Sequence, residues 1–192
     1  MTTYGIVVEG YYDVAALTEI IKKCLSNEIE IISYTCATKG PLMNKFQGFL
    51  DLLDLRHTKQ GSHIHKAFVV RDADNKDPNE LLNKMRSKVA SRTYPFEVKF
   101  IIIVQELETW LLADEEAISR VTQPRSGRTV ARVNENLELI SQPKERLKKI
   151  LFDAKVAYTP EVAREIAKES DPSRIEYRCP RFREFRQAVI DC

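Results

Sequence analysis

The sequence lacks any long apolar run. The longest, Phe100 to Val104, is five residues, far below the roughly 20 that a helix needs to cross a bilayer. No basic start followed by an apolar stretch is present, so no secretory signal is expected and the cytoplasm is the expected compartment. Cysteines are few. Cys24, Cys36, Cys179 and Cys192 include no pair at zinc-finger or redox spacing, so reduced structural thiols are expected. No internal repeat or low-complexity tract breaks the chain. Net charge is only +2 over 192 residues, too small to argue for nucleic acid on its own. The excess lies late: from Glu115 onward there are 16 basic against 13 acidic residues.

What is present suits one globular domain with an appended piece. Apolar residues make up 43% and charged residues 30%, enough to bury a real core. Tyr4 to Val8, Ile29 to Thr35, Ala67 to Val70 and Val98 to Val104 read as strands. Between them, residues 13–26, a segment opened by Pro41, and Asn79 to Ala90 carry helical spacing. Strand–helix alternation through the first ~115 residues is the pattern of βαβ units, so the expected fold is α/β, a Rossmann-like parallel sheet of about four strands with strands one and three central. Residues 1–114 form the expected α/β domain, and 115–192 a helical, mildly basic extension.

The first strand ends in Glu9-Gly10-Tyr11-Tyr12-Asp13. Glycine suits a tight turn there, and Asp13 sits where a helix should start. By themselves the two acids are equally readable as a solvated loop carboxylate and an ordinary helix cap. Their weight comes from company. The third strand runs into Asp72-Ala73-Asp74, and the fourth into Glu106-Leu107-Glu108. In a parallel sheet these strand ends share one edge, where open α/β sheets hold their ligands. Six carboxylates brought close repel one another unless cations neutralise them. Oxygen donors without histidine or cysteine select magnesium or manganese rather than zinc.

On these residues the sequence resembles the Toprim domain of topoisomerases, bacterial primases and overcoming-lysogenization-defect nucleases. The marks are Glu9-Gly10 and Asp72-Ala73-Asp74, and the spacing from Glu9 to Asp13 is similar to the nuclease branch. A narrower resemblance, to the bacterial proteins catalogued as domain of unknown function 4276, is carried by Glu106 to Asp114, by Pro143-Lys144 and by the stretch from Cys179 to Phe185. The Toprim resemblance implies that both acids of the first motif bind metal and that a lysine near the metals steadies the transition state. Lys39 and Lys76 are the candidates. It also implies an ATPase partner encoded nearby and a phage-defence setting. Topoisomerase and primase roles are not expected, because these 192 residues have neither the length for a cleavage domain nor the cysteines for a zinc domain.

The expected function is therefore a Mg²⁺- or Mn²⁺-dependent phosphodiesterase, a nuclease acting on DNA or RNA. Glu9, Asp72 and Asp74 are the expected catalytic acids. Glu9, Asp13, Asp72 and Asp74 are expected to hold a first ion, and Glu106 or Glu108 to help hold a second. Resemblance to topoisomerases implies instead that Glu9 works as general acid or base. A non-catalytic Toprim-like subunit binding nucleic acid or an ATPase, and an Asp-x-Asp phosphatase, are the alternatives. The latter enzymes usually carry their aspartate on the first strand, whereas Asp72 is on the third.

Residues 120–132 hold Arg120, Arg125, Arg128 and Arg132 and no acid, which reads as a mobile loop able to contact phosphates. His63 and His65 read as loop polarity, residues 114–116 as a solvated face, and Trp110, Phe182 and Phe185 as core.

Overall fold

The computed structural model describes residues 2–25, 28–36, 42–127 and 129–191. Four strands, β1 (Thr2–Val8), β2 (Ile29–Thr35), β3 (Ile64–Asp72) and β4 (Glu97–Ile103), form one sheet in the order β2-β1-β3-β4. All pairings are parallel, with Ile6 opposite Ser33 on one side and Phe68 on the other. The α/β class, the strand number and the central placement of strands one and three are those expected. Helices α1 (Tyr11–Cys24), α2 (Leu42–Lys59) and α3 (Pro78–Val89) follow the first three strands.

Alternation along the strands divides the core in two. Val7, Ala67 and Val69 meet Leu42, Phe46, Leu50 and Leu53 of α2 and Met85 of α3. Tyr4, Ile6, Val8, Phe68 and Val70 face the other way, onto α1 and the later helices. On the α2 side the backbone comes so close that a Cβ at Gly5 would stand 2.7 Å from Leu53 Cδ1.

After β4 the chain is helical: α4 (Glu108–Leu111), α5 (Glu115–Ser126), a 3₁₀ turn (Leu137–Leu139), α6 (Pro143–Asp153), α7 (Pro160–Glu169), α8 (Pro172–Arg178) and α9 (Phe182–Ile190). These helices complete the second core. Helix α7 packs on α1 and α5, and α9 on α1 and β4. Trp110 meets Phe182 edge-on at 4.8 Å, and Phe185 lies 5.1 Å from Trp110 and 6.1 Å from Phe68. The aromatics are core, as expected. The change from strands to helices falls between Ile103 and Glu108, and the apolar core runs on through position 114. Lys66 of β3 fastens the far end: fully buried, it donates to the carbonyl oxygens of Ala188, at 2.8 Å, and Asp191.

Several local expectations are corrected. His65, read as loop polarity, lies within β3, because α2 continues to Lys59 and β3 begins at Ile64. Residues 120–126, the first part of the expected arginine loop, belong to helix α5; Pro124 is tolerated in its last turn before Gly127 ends it in the left-handed region. Asp114 is not on a solvated face. It is wholly buried at the α5 N-cap, accepting from Ala117 N at 3.2 Å and Asp171 N at 2.9 Å, with Arg174 at 3.4 Å. Glu115 likewise pairs with Arg178, at 3.1 Å. Helix α1 starts at Tyr11 rather than Asp13, with Gly10 as its N-cap. Among the described residues no helix is long and apolar enough to cross a membrane.

Candidate active site

The carboxyl ends of β1, β3 and β4 lie side by side, and the acids that follow them meet there. Asp13 is the third residue of α1, and its Oδ2 reaches back to accept the Gly10 N–H at 2.8 Å. The turn after β3 is held by Ala73 N donating to Ile103 O and Lys76 N donating to Ala73 O, both at 2.9 Å. Asp74 N donates to Gln105 O at 3.3 Å, tying the β3 turn to the β4 turn. Asp74, Asn75 and Gln105 all adopt left-handed backbone (φ 49°, 62° and 64°). Three non-glycine residues in that region along one edge is a concentration of strain of the kind found at functional sites.

Strand alternation divides the acids between two sides. Asp72 follows Phe68 and Val70 toward α1 and the later helices, while Arg71 follows Ala67 and Val69. Glu9 goes with Arg71, whose Nε stands 3.4 Å from Glu9 Oε1. The two groups still act on each other. Burial pushes the Asp72 carboxyl well above its ordinary value, and the charges of Asp13, Glu108, Glu9 and Asp74 push it further. Asp13 is pushed up to about 7, by burial first and then by Glu108 and Glu9, against the Gly10 N–H. Glu9 is raised by burial and by Asp74, with Arg71 and Lys76 opposing. Glu106 is raised by burial, against the Lys144 N–H, and by Glu108 and Asp74. The charges of Glu9, Asp13, Asp72, Asp74, Glu106 and Glu108 thus act on one another along this edge, although Glu9 and Asp72 lie on different sides of it.

Two partners, Lys144 and Tyr158, come from beyond residue 140. Lys144, at the start of α6, donates its backbone N–H to Glu106 Oε2 at 2.9 Å. Its ammonium lies 3.5 Å from Glu108 Oε1 and 4.7 Å from the centre of the Tyr12 ring. Burial alone would lower its pKa, but Glu108 and Asp13 prevail and raise it. Tyr158 donates its hydroxyl to Glu108 Oε1 at 2.9 Å, and burial and that carboxylate hold its proton on far above the usual phenol range. Tyr12 donates to Tyr158 O at 3.3 Å, its ring 4.9 Å from that of Tyr158.

Sequence reasoning took Pro143-Lys144 as a mark of likeness and assigned no role to Lys144, Tyr158, Tyr12 or Arg71. Only the proline opening a helix was a local signal for the first of them. Of the lysine candidates, Lys76 stands exposed at the rim, its charge acting on Glu9. Lys39 and Arg128 lie outside the described residues. Arg120 pairs with Glu169 at 2.9 Å and Arg125 with Glu165 at 3.8 Å, both across to α7. Arg132 is exposed in the segment before α6. His65 begins β3 with its ring 5.7 Å from that of Tyr4.

Among the described residues, no three acidic, histidine or cysteine side chains form a ready-made metal cage. The donor chemistry nevertheless suits a hard cation. The donors are all oxygen, and Asp13 and Asp72 in particular gain from any positive charge brought among them.

A solved structure, the C-terminal region of the Burkholderia pseudomallei OLD protein, is similar at 17% identity over 97% of this chain and 98% of that one, with a TM-score of 0.43. No curated protein shows a significant match. The family model described as domain of unknown function 4276 matches residues 8–190, which takes in every acid of the cluster, Lys144 and Tyr158, and the chain belongs to that family.

Proposed function

We propose that this protein is a Mg²⁺- or Mn²⁺-dependent phosphodiesterase, a nuclease acting on DNA or RNA in a phage-defence or toxin-like setting. The observation that carries the reading is the grouping of acids at the strand ends: Asp72, acted on by four neighbouring carboxylates, one of which, Glu108, pairs with Lys144. The Toprim-like motifs, Glu9-Gly10 and Asp72-Ala73-Asp74, supply the substrate class.

Glu9, Asp13, Asp72 and Asp74 are the residues to hold a first ion, and Glu106 or Glu108 a second. A bound divalent ion supplies the charge that polarises a phosphodiester and acidifies water. The chain's own groups do the rest. Tyr158 keeps its proton and orients Glu108 through Oε1. Lys144, fixed at its backbone by Glu106, presents its ammonium to the same space, where it can donate to a phosphate oxygen as charge develops. Lys144 therefore takes the transition-state role that the resemblance leaves open, with Lys76 at the rim for the flanking strand. Arg120 and Arg125 already serve acids of α7, so among the three described arginines Arg132 is the nucleic-acid contact retained.

Cleavage of labelled DNA and RNA with and without magnesium tests the reading. Glu9→Gln and Asp72→Asn should each lower magnesium-dependent cleavage at least about a hundredfold. Undiminished cleavage by both variants overturns it. A second reading, a non-catalytic subunit that binds nucleic acid or an ATPase partner, has its own support: Arg71 and Lys144 already answer Glu9 and Glu108 inside the chain. Calorimetry separates the two, since this reading gives magnesium binding without cleavage.

A further inference from the structure

We infer that the cleft between residues 129–133 and α6 is a nucleotide-binding site, separate from the acid cluster. The cavity measures about 320 Å³, within the range of small-ligand pockets. Val130, Val133 and Ile150 give it an apolar surface, and Arg132, Arg146 and Lys149 give it charge. Asp153 is the single acid in the lining.

On α8 and α9, Arg174 is answered by Glu116 at 2.8 Å, and Arg183 and Arg186 by Glu176 at 2.8 and 2.7 Å, although Arg186 Nε has no hydrogen-bond partner among the described residues. Arg132 and Lys149 are exposed and make no ion pair among the described residues. Arg146 reaches Glu135 at 3.4 Å through one terminal nitrogen, while its Nε is out of water with no hydrogen-bond partner among the described residues. Unanswered guanidinium and ammonium groups beside an apolar wall select an anion that carries an apolar body. A nucleoside phosphate has both parts.

Helix geometry sets the cleft apart. At 3.6 residues per turn, Arg146 and Lys149 point roughly 200° and 140° around α6 from Lys144. The cleft therefore opens on the side of α6 turned away from the acids. It rests on its own lining, and a nucleotide there does not compete with an ion at Asp72. The nucleotide is either one unit of a strand that passes around α6 from the acid cluster or a free mononucleotide.

Titration calorimetry in chelator tests the site with adenosine monophosphate, inorganic phosphate and a short oligodeoxynucleotide as probes. Adenosine monophosphate is expected to bind, more tightly than phosphate alone. The double variant Arg132→Glu with Lys149→Glu changes two exposed side chains, and circular dichroism verifies its fold. It should weaken binding at least about tenfold, whereas Lys168→Glu on α7 should not. If the nucleotide belongs to a strand, the double variant weakens the oligonucleotide as well; if it is free, only the mononucleotide weakens. The inference is overturned if neither probe containing a nucleoside binds, or if the double variant binds both as the wild type does. Repeating the titration on Glu9→Gln protein keeps the two readings apart: binding there with no cleavage by the wild type would sink the phosphodiesterase alone.

Discussion

Tyr158 donates its hydroxyl hydrogen to Glu108 across 2.9 Å, joining residues fifty positions apart. Glu108 is 3% exposed and has Lys144 as its only ion-pair partner among the described residues. A buried carboxylate with two donors is sensitive to losing either. Tyr158→Phe keeps the ring against Tyr12 and removes only the donor. It should cost about 1.5–3 kcal/mol of stability, read as a lower urea midpoint. An unchanged midpoint would mean that this bond does not hold the pocket together.

Lys144 and Lys76 make a second test. Lys144→Ala should lower the turnover of magnesium-dependent cleavage by about 10²–10³, with smaller change in KM. Lys144→Arg should recover part of the loss, because the charge returns with different geometry. Lys76→Ala, at an exposed rim position, should change turnover little. Equal losses from the two alanine variants would remove the distinction drawn between them.

The pH dependence of stability follows from Asp13. Its carboxyl is held at about 7 in the folded protein against an ordinary 3.8. The folded state therefore favours the proton. The stability this contributes is whole below the ordinary value and is lost as pH rises through about 7. In chelator, urea midpoints should fall across that window, and Asp72, also raised, adds in the same direction. Asp13→Asn should flatten the profile. Magnesium should raise the wild-type midpoint most at the alkaline end, where the acids are charged. A profile identical in wild type and variant would refute this account.

Asp114→Ala tests the helical half. The substitution leaves the N–H groups of Ala117 and Asp171 without their acceptor and Arg174 without one of its two acids. A loss of about 2–4 kcal/mol is expected in chemical unfolding. A value near zero would return Asp114 to the solvated face first assigned to it.

The sheet was legible because its strands are short apolar runs closed by turn residues, and the strand-end acids were legible because a parallel sheet leaves them only one edge. Asp77 before Pro78 and Thr159 before Pro160 cap their helices, accepting from Asn79 N and Val162 N. Lys144, on α6, and Tyr158, in the connector before α7, could not be placed, because nothing local says which late segments turn back toward the first strand. Asp114 misled for a related reason. An acid followed by two more acids looks solvated until Asp171 and Arg174, far along the chain, fold over it. Helix α8 is short, with one buried residue, Ile175, too little periodicity to read.

The left-handed turn after β3 sets two demands on the same peptide units. Glycine at Asn75 would relieve the backbone of its awkward φ of 62° and make the chain more robust to heat. The same freedom would loosen the hold on the neighbouring Asp74. Evolution or an engineer seeking a hardier version of this protein should find the gain at Asn75 and, if Asp74 serves the proposed phosphodiesterase, should find it spoiled by slower cleavage.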